Sequence, residues 1–137
     1  MAAEPEVGVF EVSLTDDGKE HALFSGLEES NKVMQWHWAE VKRAPQGAKV
    51  LATSPRSAIQ TVALDSHAIS TQFHCEFTPQ TMAAWSSLPK YLQSLEKQNG
   101  EGAYRKLVTE ATPLMPQMAK MTRRIYDNLM VATGLRK

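Results

Sequence analysis

Residues 71–77 read Thr-Gln-Phe-His-Cys-Glu-Phe, an apolar, β-prone stretch that carries a histidine and a carboxylate two positions apart. In an extended backbone, side chains alternate between faces, so His74 and Glu76 should project from the same side. A carboxylate beside an imidazole fixes its tautomer and stabilises its protonated form, which an acid–base histidine needs. The stretch therefore predicts two members of a Cys-His-Glu catalytic triad.

Cys75 lies between these two residues and is the only cysteine in the chain. Strand alternation points it to the opposite face, whereas a nucleophile and its base must lie within hydrogen-bond reach. Free cysteine is also among the most frequently buried residue types. We therefore expect Cys75 to be a buried, inert thiol and the nucleophile to come from elsewhere.

The composition excludes several classes of protein. The 137 residues fit one domain, and 15 basic and 15 acidic residues cancel, which argues against a nucleic-acid partner. No apolar run approaches the roughly 18 residues of a membrane span, and the N-terminus lacks the features of a signal peptide. A single cysteine excludes an intramolecular disulfide framework and fits a reducing compartment. We expect a cytoplasmic protein with no cofactor, no nucleic-acid partner and no membrane association.

Short strands should occupy the first part of the chain. Alternating apolar residues and turn signals predict strands at 7–14, 32–38, 48–53, 58–64 and 68–73, with a turn at 15–18. Links this short favour antiparallel neighbours, because a parallel crossover needs a dozen residues or more. The pattern predicts a meander.

Helices should occupy the last third of the chain. A helical region begins at 78, restarts at Pro89 and stops near 99, and a shorter helix covers 103–111. The prolines at 113 and 116 precede a final helix whose apolar stripe consists of Met118, Met121, Ile125 and Leu129. A methionine-rich stripe can form an adaptable binding groove, but the amphipathic spacing favours core packing.

Three motifs follow one another in the chain. Residues 33–38 read Val-Met-Gln-Trp-His-Trp, and residues 45–54 read Pro-Gln-Gly-Ala-Lys-Val-Leu-Ala-Thr-Ser; the stretch from 71 closes the series. The order resembles the C-terminal half of class I glutamine amidotransferase domains, particularly stand-alone proteins similar to the amidotransferase domain of GMP synthase. That family shows His-Gly-Asp-x-Val, Pro-x-Gly-Ala-x-x-Leu-Ala-x-Ser, a glutamine that matches Gln60, and Gln-Phe-His-Pro-Glu. The resemblance covers about residues 6–85.

The resemblance implies a fold and a division of the chain. The expected fold class is α/β: the C-terminal portion of a flavodoxin-like amidotransferase fold, with mostly antiparallel short strands followed by C-terminal helices. Residues 1–85 would form a partial amidotransferase domain that carries the His–Glu pair, and residues 86–137 a helical extension.

The resemblance also implies the chemistry. In the family, a cysteine on a strand-to-helix elbow attacks the side-chain amide of glutamine, a histidine moves the proton and a glutamate orients that histidine. The last two roles map to His74 and Glu76, and His37 maps to a substrate-binding element. The substrate of a completed site would be glutamine or a γ-glutamyl compound.

The chain departs from the family pattern at three places. The nucleophile elbow, Gly-x-Cys-x-Gly, is expected upstream of Glu6, where the sequence has only residues 1–5. Cys75 replaces the proline between histidine and glutamate. Trp38 and Ala39 replace the Gly-Asp of His-Gly-Asp, which weakens the substrate-binding role of His37.

These departures predict that the chain has no glutaminase activity alone. Exposed strand edges would then invite a partner chain or a homo-oligomer. The alternatives are a non-catalytic binding or regulatory remnant and a fragment of a γ-glutamyl peptidase-like hydrolase.

Two further arrangements are open at the level of sequence. Trp36, His37 and Trp38 could form a ligand shelf, because aromatic groups stack on flat substrates, or the tryptophans could pack in the core and over a sheet edge. The other arrangement is a metal site from His37, His67 and His74, but its spacings match no zinc pattern. We expect no metal.

Overall fold

The computed structural model describes residues 4–65 and 68–135. Five strands form one sheet in the order β2-β1-β3-β4-β5, and every neighbouring pair is antiparallel. The strands are β1 (Glu6–Leu14), β2 (Ser30–His37), β3 (Lys49–Thr53), β4 (Thr61–Leu64) and β5 (Ala68–Thr71). The predicted α/β class with antiparallel short strands followed by helices is confirmed. The predicted meander holds only for β3–β5, because β3 pairs with β1 on the side away from β2.

The long hairpin of β1 and β2 dominates the sheet. Its register runs from Glu6 opposite His37 to Ser13 opposite Ser30, whereas β1 joins β3 only through Ser13 and Leu14. The first half of β1 therefore has one edge that no strand of the described chain pairs. At this edge the carbonyl oxygen of Val7 accepts a hydrogen bond from the side chain of Asn99 at 3.0 Å.

The turn predicted at 15–18 is wrong: a short helix, α1 (Asp16–Glu20), follows β1. Thr15 caps it, because its hydroxyl oxygen accepts from the backbone amide of Gly18 at 3.0 Å and donates to the carbonyl of Val50 at 2.6 Å. Gly18 is needed there, since a Cβ would lie 1.9 Å from the carbonyl oxygen of Leu51. The cap and this close approach seat α1 against β3.

Four longer helices follow the sheet, with proline in the first turn of three of them, as predicted. They are α2 (Pro79–Ser86), α3 (Pro89–Asn99), α4 (Ala103–Ala111) and α5 (Met115–Ala132). None of the helices in the described ranges combines the length and the apolar character needed to cross a membrane.

The sheet separates two hydrophobic clusters. Neighbouring residues of β2, Val33 and Met34, belong to different clusters because successive strand side chains point to opposite faces. The Val33 cluster includes Met121 and Ile125 of α5, so the methionine stripe packs in the core. Leu129 was predicted on that stripe but is 42% exposed. The Met34 cluster receives α2, α3 and α4.

Candidate active site

His74 and Glu76 lie just beyond the end of β5. The strand was predicted to continue to residue 73, but it ends at Thr71 and the chain bends at 72 and 73. The backbone amide of His74 then donates to the carbonyl of Met34 on β2 at 2.9 Å. This single bridge replaces the predicted extended strand, and it anchors the histidine to the centre of the long hairpin.

The two predicted catalytic side chains form a close pair. The Nδ1 atom of His74 lies 2.6 Å from Oε1 of Glu76, and their side chains are 30% and 64% exposed. A carboxylate at Nδ1 holds the proton on that nitrogen and leaves Nε2 for proton transfer. The pair is therefore oriented as an acid–base dyad and open to solvent.

Cys75 is half-buried and packs against the Val33 cluster. Burial, and after it the negative charge of Glu76, raises the pKa of the Cys75 thiol, which disfavours the thiolate. Its carbonyl oxygen accepts a hydrogen bond from the hydroxyl of Thr122 on α5. Cys75 was expected to be buried but is only half-buried, and its inertness stays a prediction.

A helix places an aromatic residue on the dyad, which sequence reasoning did not find. Trp85 of α2 packs edge-on against the imidazole of His74, with ring centroids 4.9 Å apart and planes at 75°. Helical periodicity alone assigns Trp85 to an apolar face. The one sequence signal is the early start of α2, since Pro79 follows Glu76 by three residues.

A second histidine–carboxylate pair lies inside the sheet. Glu6 is fully buried, and Nε2 of His37 lies 3.3 Å from its Oε2. The Glu6 oxygens also accept hydrogen bonds from the Ser54 hydroxyl at 2.7 Å and from the Gln60 side-chain amide at 2.5 Å. Sequence reasoning did not single out Glu6, because only the register of β1 with β2 brings it to His37.

Glu6 is ionised in this environment. Burial on its own raises the pKa of Glu6, but the facing imidazole of His37 and the hydrogen bonds from Ser54 and Gln60 outweigh it and lower the pKa below the ordinary value. The Nε2 atom of His37 lies within ion-pair distance of the Glu6 carboxylate but is not aligned as a hydrogen-bond donor. The pair holds the open end of the β1–β2 hairpin.

The remaining predicted site residues lie apart from the dyad or pack in the core. His37 is engaged with Glu6, and its Nδ1 donates to the carbonyl of Ala39 at 2.8 Å, so its substrate-binding role stays a prediction. Trp36 and Trp38 pack edge-to-face at 6.2 Å against the Met34 cluster. His67 lies outside the described residues. Within the ranges described, no group of three or more acidic, histidine or cysteine side chains could hold a metal ion.

The last strand of an antiparallel sheet thus leads to a His–Glu pair, and helices pack against the sheet. The family model for class I glutamine amidotransferase matches residues 3–85, which include His74 and Glu76. The chain belongs to this family.

Individual relatives agree with this assignment. The chain is 34% identical over 76 residues to a glutamine-hydrolyzing GMP synthase subunit from Sulfolobus acidocaldarius, a match that covers 55% of this chain and 39% of the relative. The crystal structure of a glutamine amidotransferase from Thermotoga maritima superposes with a TM-score of 0.77 at 25% identity, covering 92% of this chain and 51% of that one. The glutamine amido transferase of Methylobacillus flagellatus, at 16% identity and a TM-score of 0.71, shows the shared fold alone; the match covers 96% of this chain and 54% of that one. The chain thus spans about half the length of these structures.

Proposed function

We propose that this chain supplies the acid–base half of a glutamine-hydrolysing site. The observation that carries the proposal is the 2.6 Å contact between Nδ1 of His74 and Glu76, on residues that match the family's His-x-Glu motif. The substrate is the side-chain amide of glutamine, which releases ammonia, or another γ-glutamyl amide, which releases the corresponding amine.

The proposed reaction has two halves, formation of a thioester and its hydrolysis, and His74 takes up and returns one proton in each. Nε2 takes the proton of the nucleophilic thiol, and the thiolate attacks the amide carbon to form a tetrahedral intermediate. The imidazolium returns the proton to the leaving nitrogen, so ammonia departs and a thioester remains. His74 then takes a proton from water, which hydrolyses the thioester to glutamate and restores the thiol. Glu76 stabilises the imidazolium in both halves.

The nucleophile in this scheme is not Cys75. Its side chain packs against the Val33 cluster while the ring of His74 packs on Trp85, and burial raises the pKa of its thiol. No other cysteine is present among the 137 residues. We therefore propose that the thiol comes from a segment outside this sequence and that the chain alone has no glutaminase activity.

A second candidate function is non-catalytic docking on another chain. The observation that favours it is the edge of β1, where strand pairing with β3 is confined to Ser13 and Leu14. An edge with unpaired backbone groups can add a strand from a partner.

A γ-glutamyl peptidase-like hydrolase is the other alternative. It would use the same His74–Glu76 pair to hydrolyse a different amide.

A glutaminase assay separates these functions. The purified chain is compared with a fusion in which the nucleophile-bearing half of the Thermotoga maritima amidotransferase precedes it. We expect ammonia release from the fusion only, a loss of at least about 100-fold in the His74→Gln fusion, and retention of activity in the Cys75→Ser fusion.

The opposite results are equally informative. Ammonia release by the chain alone that disappears in His74→Gln would show that the nucleophile lies within these residues. A fusion that folds but hydrolyses no γ-glutamyl amide would favour docking.

A further inference from the structure

We propose that Trp85 is a positioning residue for His74, holding the imidazole in the orientation that proton transfer requires. The inference rests on the proposed function, because it assigns Trp85 a role only through the acid–base histidine. Its basis is the edge-on packing of the two rings, 4.9 Å apart, in a part of the chain where Glu76 alone would leave the imidazole loosely held.

The start of α2 brings the indole to the dyad. Thr78 and Thr81 form a capping box: the Thr78 hydroxyl accepts from the Thr81 amide at 3.1 Å, and the Thr81 hydroxyl from the Thr78 amide at 3.3 Å. The helix therefore begins directly after the dyad, and Met82 is buried on its inner face. Trp85, on the same side one turn later, returns to the ring of His74.

Trp85 is itself held by other rings. Its centroid lies 5.0 Å from that of Trp36, 5.4 Å from that of Phe77 and 6.4 Å from that of Tyr91. Trp36 belongs to β2, two residues after Met34, whose carbonyl oxygen accepts the backbone amide of His74. Strand β2 thus holds the backbone of His74 through Met34 and supports, through Trp36, the Trp85 ring that packs on the His74 side chain. We call Trp85 and Trp36 the aromatic wall.

Such a wall supplies what the carboxylate cannot. The Glu76 side chain is 64% exposed, and an ion pair in solvent restrains its partners weakly. Packing on the indole restricts rotation of the imidazole and excludes water from one side, which strengthens the hydrogen bond at Nδ1. The consequence is a dyad that is ordered in this chain before any nucleophile is present.

Nitrogen-15 NMR of the histidine rings tests this on the chain as it exists. We expect His74 of the wild type to be mainly the Nδ1–H tautomer when neutral, because that nitrogen faces Glu76. In Trp85→Leu the tautomer should shift towards Nε2–H, and Trp85→Phe, which keeps a ring, should restore the wild-type ratio.

Trp38→Leu is the matched control, because Trp38 belongs to the same aromatic group but contacts Trp36 and not His74. It should leave the His74 tautomer unchanged. The ring signals of His37, whose Nδ1 donates to Ala39, should not move in the Trp85 variants and so report an intact fold. An unchanged His74 tautomer in a folded Trp85→Leu chain would overturn the proposal.

A second measurement needs no change at Trp85. A protonated imidazole in contact with an indole quenches its fluorescence, so the wild type should show a quenching step across the pH range in which histidines gain charge. The step should become smaller in His74→Gln than in the wild type; a step of unchanged size there would overturn the contact. If the NMR and fluorescence results hold but the His74→Gln fusion keeps its glutaminase activity, the positioning contact stands and the proposed catalytic role fails.

Discussion

Two histidine–carboxylate pairs of this protein lie in opposite surroundings. Glu6 and His37 are 0% and 14% exposed and lie 3.3 Å apart, whereas His74 and Glu76 are 30% and 64% exposed and lie 2.6 Å apart. Both pairs combine the same two residue types. Only their surroundings differ, and the surroundings decide what each pair can do.

The buried pair joins elements, and the exposed pair remains free to react. The carboxylate of Glu6 is shared among His37 on β2, Ser54 after β3 and Gln60 before β4, so each of its oxygens already has a partner. His74, by contrast, contacts Glu76 through Nδ1, and our proposal gives Nε2 the transfer of the proton.

The largest expected effect comes from breaking the buried pair. Glu6→Ala removes the buried acceptor of two hydrogen bonds and the carboxylate that faces His37. Removing one partner of a buried ion pair costs about 3–5 kcal/mol. We expect a loss of this size in the free energy of unfolding, measured by urea denaturation.

Glu11→Ala is the control on the same strand. Glu11 pairs with Lys32 at 3.2 Å, with both side chains about half exposed, so its removal should destabilise the protein much less than Glu6→Ala. If Glu6→Ala destabilises the protein no more than Glu11→Ala, the buried pair does not hold the hairpin.

The pH dependence of stability offers a sharper test of the same pair. Folding lowers the pKa of Glu6, so its carboxylate stabilises the fold fully above the unfolded-state pKa, near about 4.3. That contribution is lost as the pH falls through the lower folded-state pKa. The wild type should therefore lose stability below about pH 4.3, and Glu6→Gln should lose less over the same range.

Denaturation midpoints of both proteins between about pH 3 and pH 6 measure this difference. The gap between wild type and Glu6→Gln should narrow as the pH falls. Parallel curves would show that folding does not lower the pKa of Glu6.

The smallest effect is expected at the exposed pair. Glu76→Gln removes a charge that is mostly in solvent, and exposed pairs contribute about 0–1 kcal/mol. The free energy of unfolding should change by less than about 0.5 kcal/mol in urea denaturation. If Glu76→Gln lowered the free energy of unfolding as much as Glu6→Ala does, the exposed pair would contribute as much to stability as the buried pair, contrary to this comparison.

Much of the fold could be predicted from local signals. Prolines at the first turns of α2, α3 and α5 and the glycine after α3 mark helix ends because of what their backbones permit, and alternating apolar residues mark β1 and β2. One local signal gave a wrong prediction, the turn at residues 15–18. The residues after Thr15 contain turn formers, but the cap and the close approach of Gly18 to Leu51 make them helical.

The residues of the candidate site also fall into those that the sequence predicts and those that depend on tertiary contacts. His74 and Glu76 could be predicted because the motif order around them indicated the family, although the extended strand assumed for them ends at Thr71. Glu6 and Trp85 could not be predicted. The first depends on which residue of β1 faces His37, and the second on the angle at which α2 returns to the sheet.

The sequence by itself determined that this chain carries an amidotransferase-type His–Glu motif and a single cysteine, and it determined most of the strands and helices. The tertiary structure alone decided which histidine–carboxylate pair is sealed inside the sheet and which stays open beside an aromatic wall. The physical reason is that local spacing sets the direction of a side chain, whereas burial and partners from distant elements set its charge, its mobility and its access to substrate.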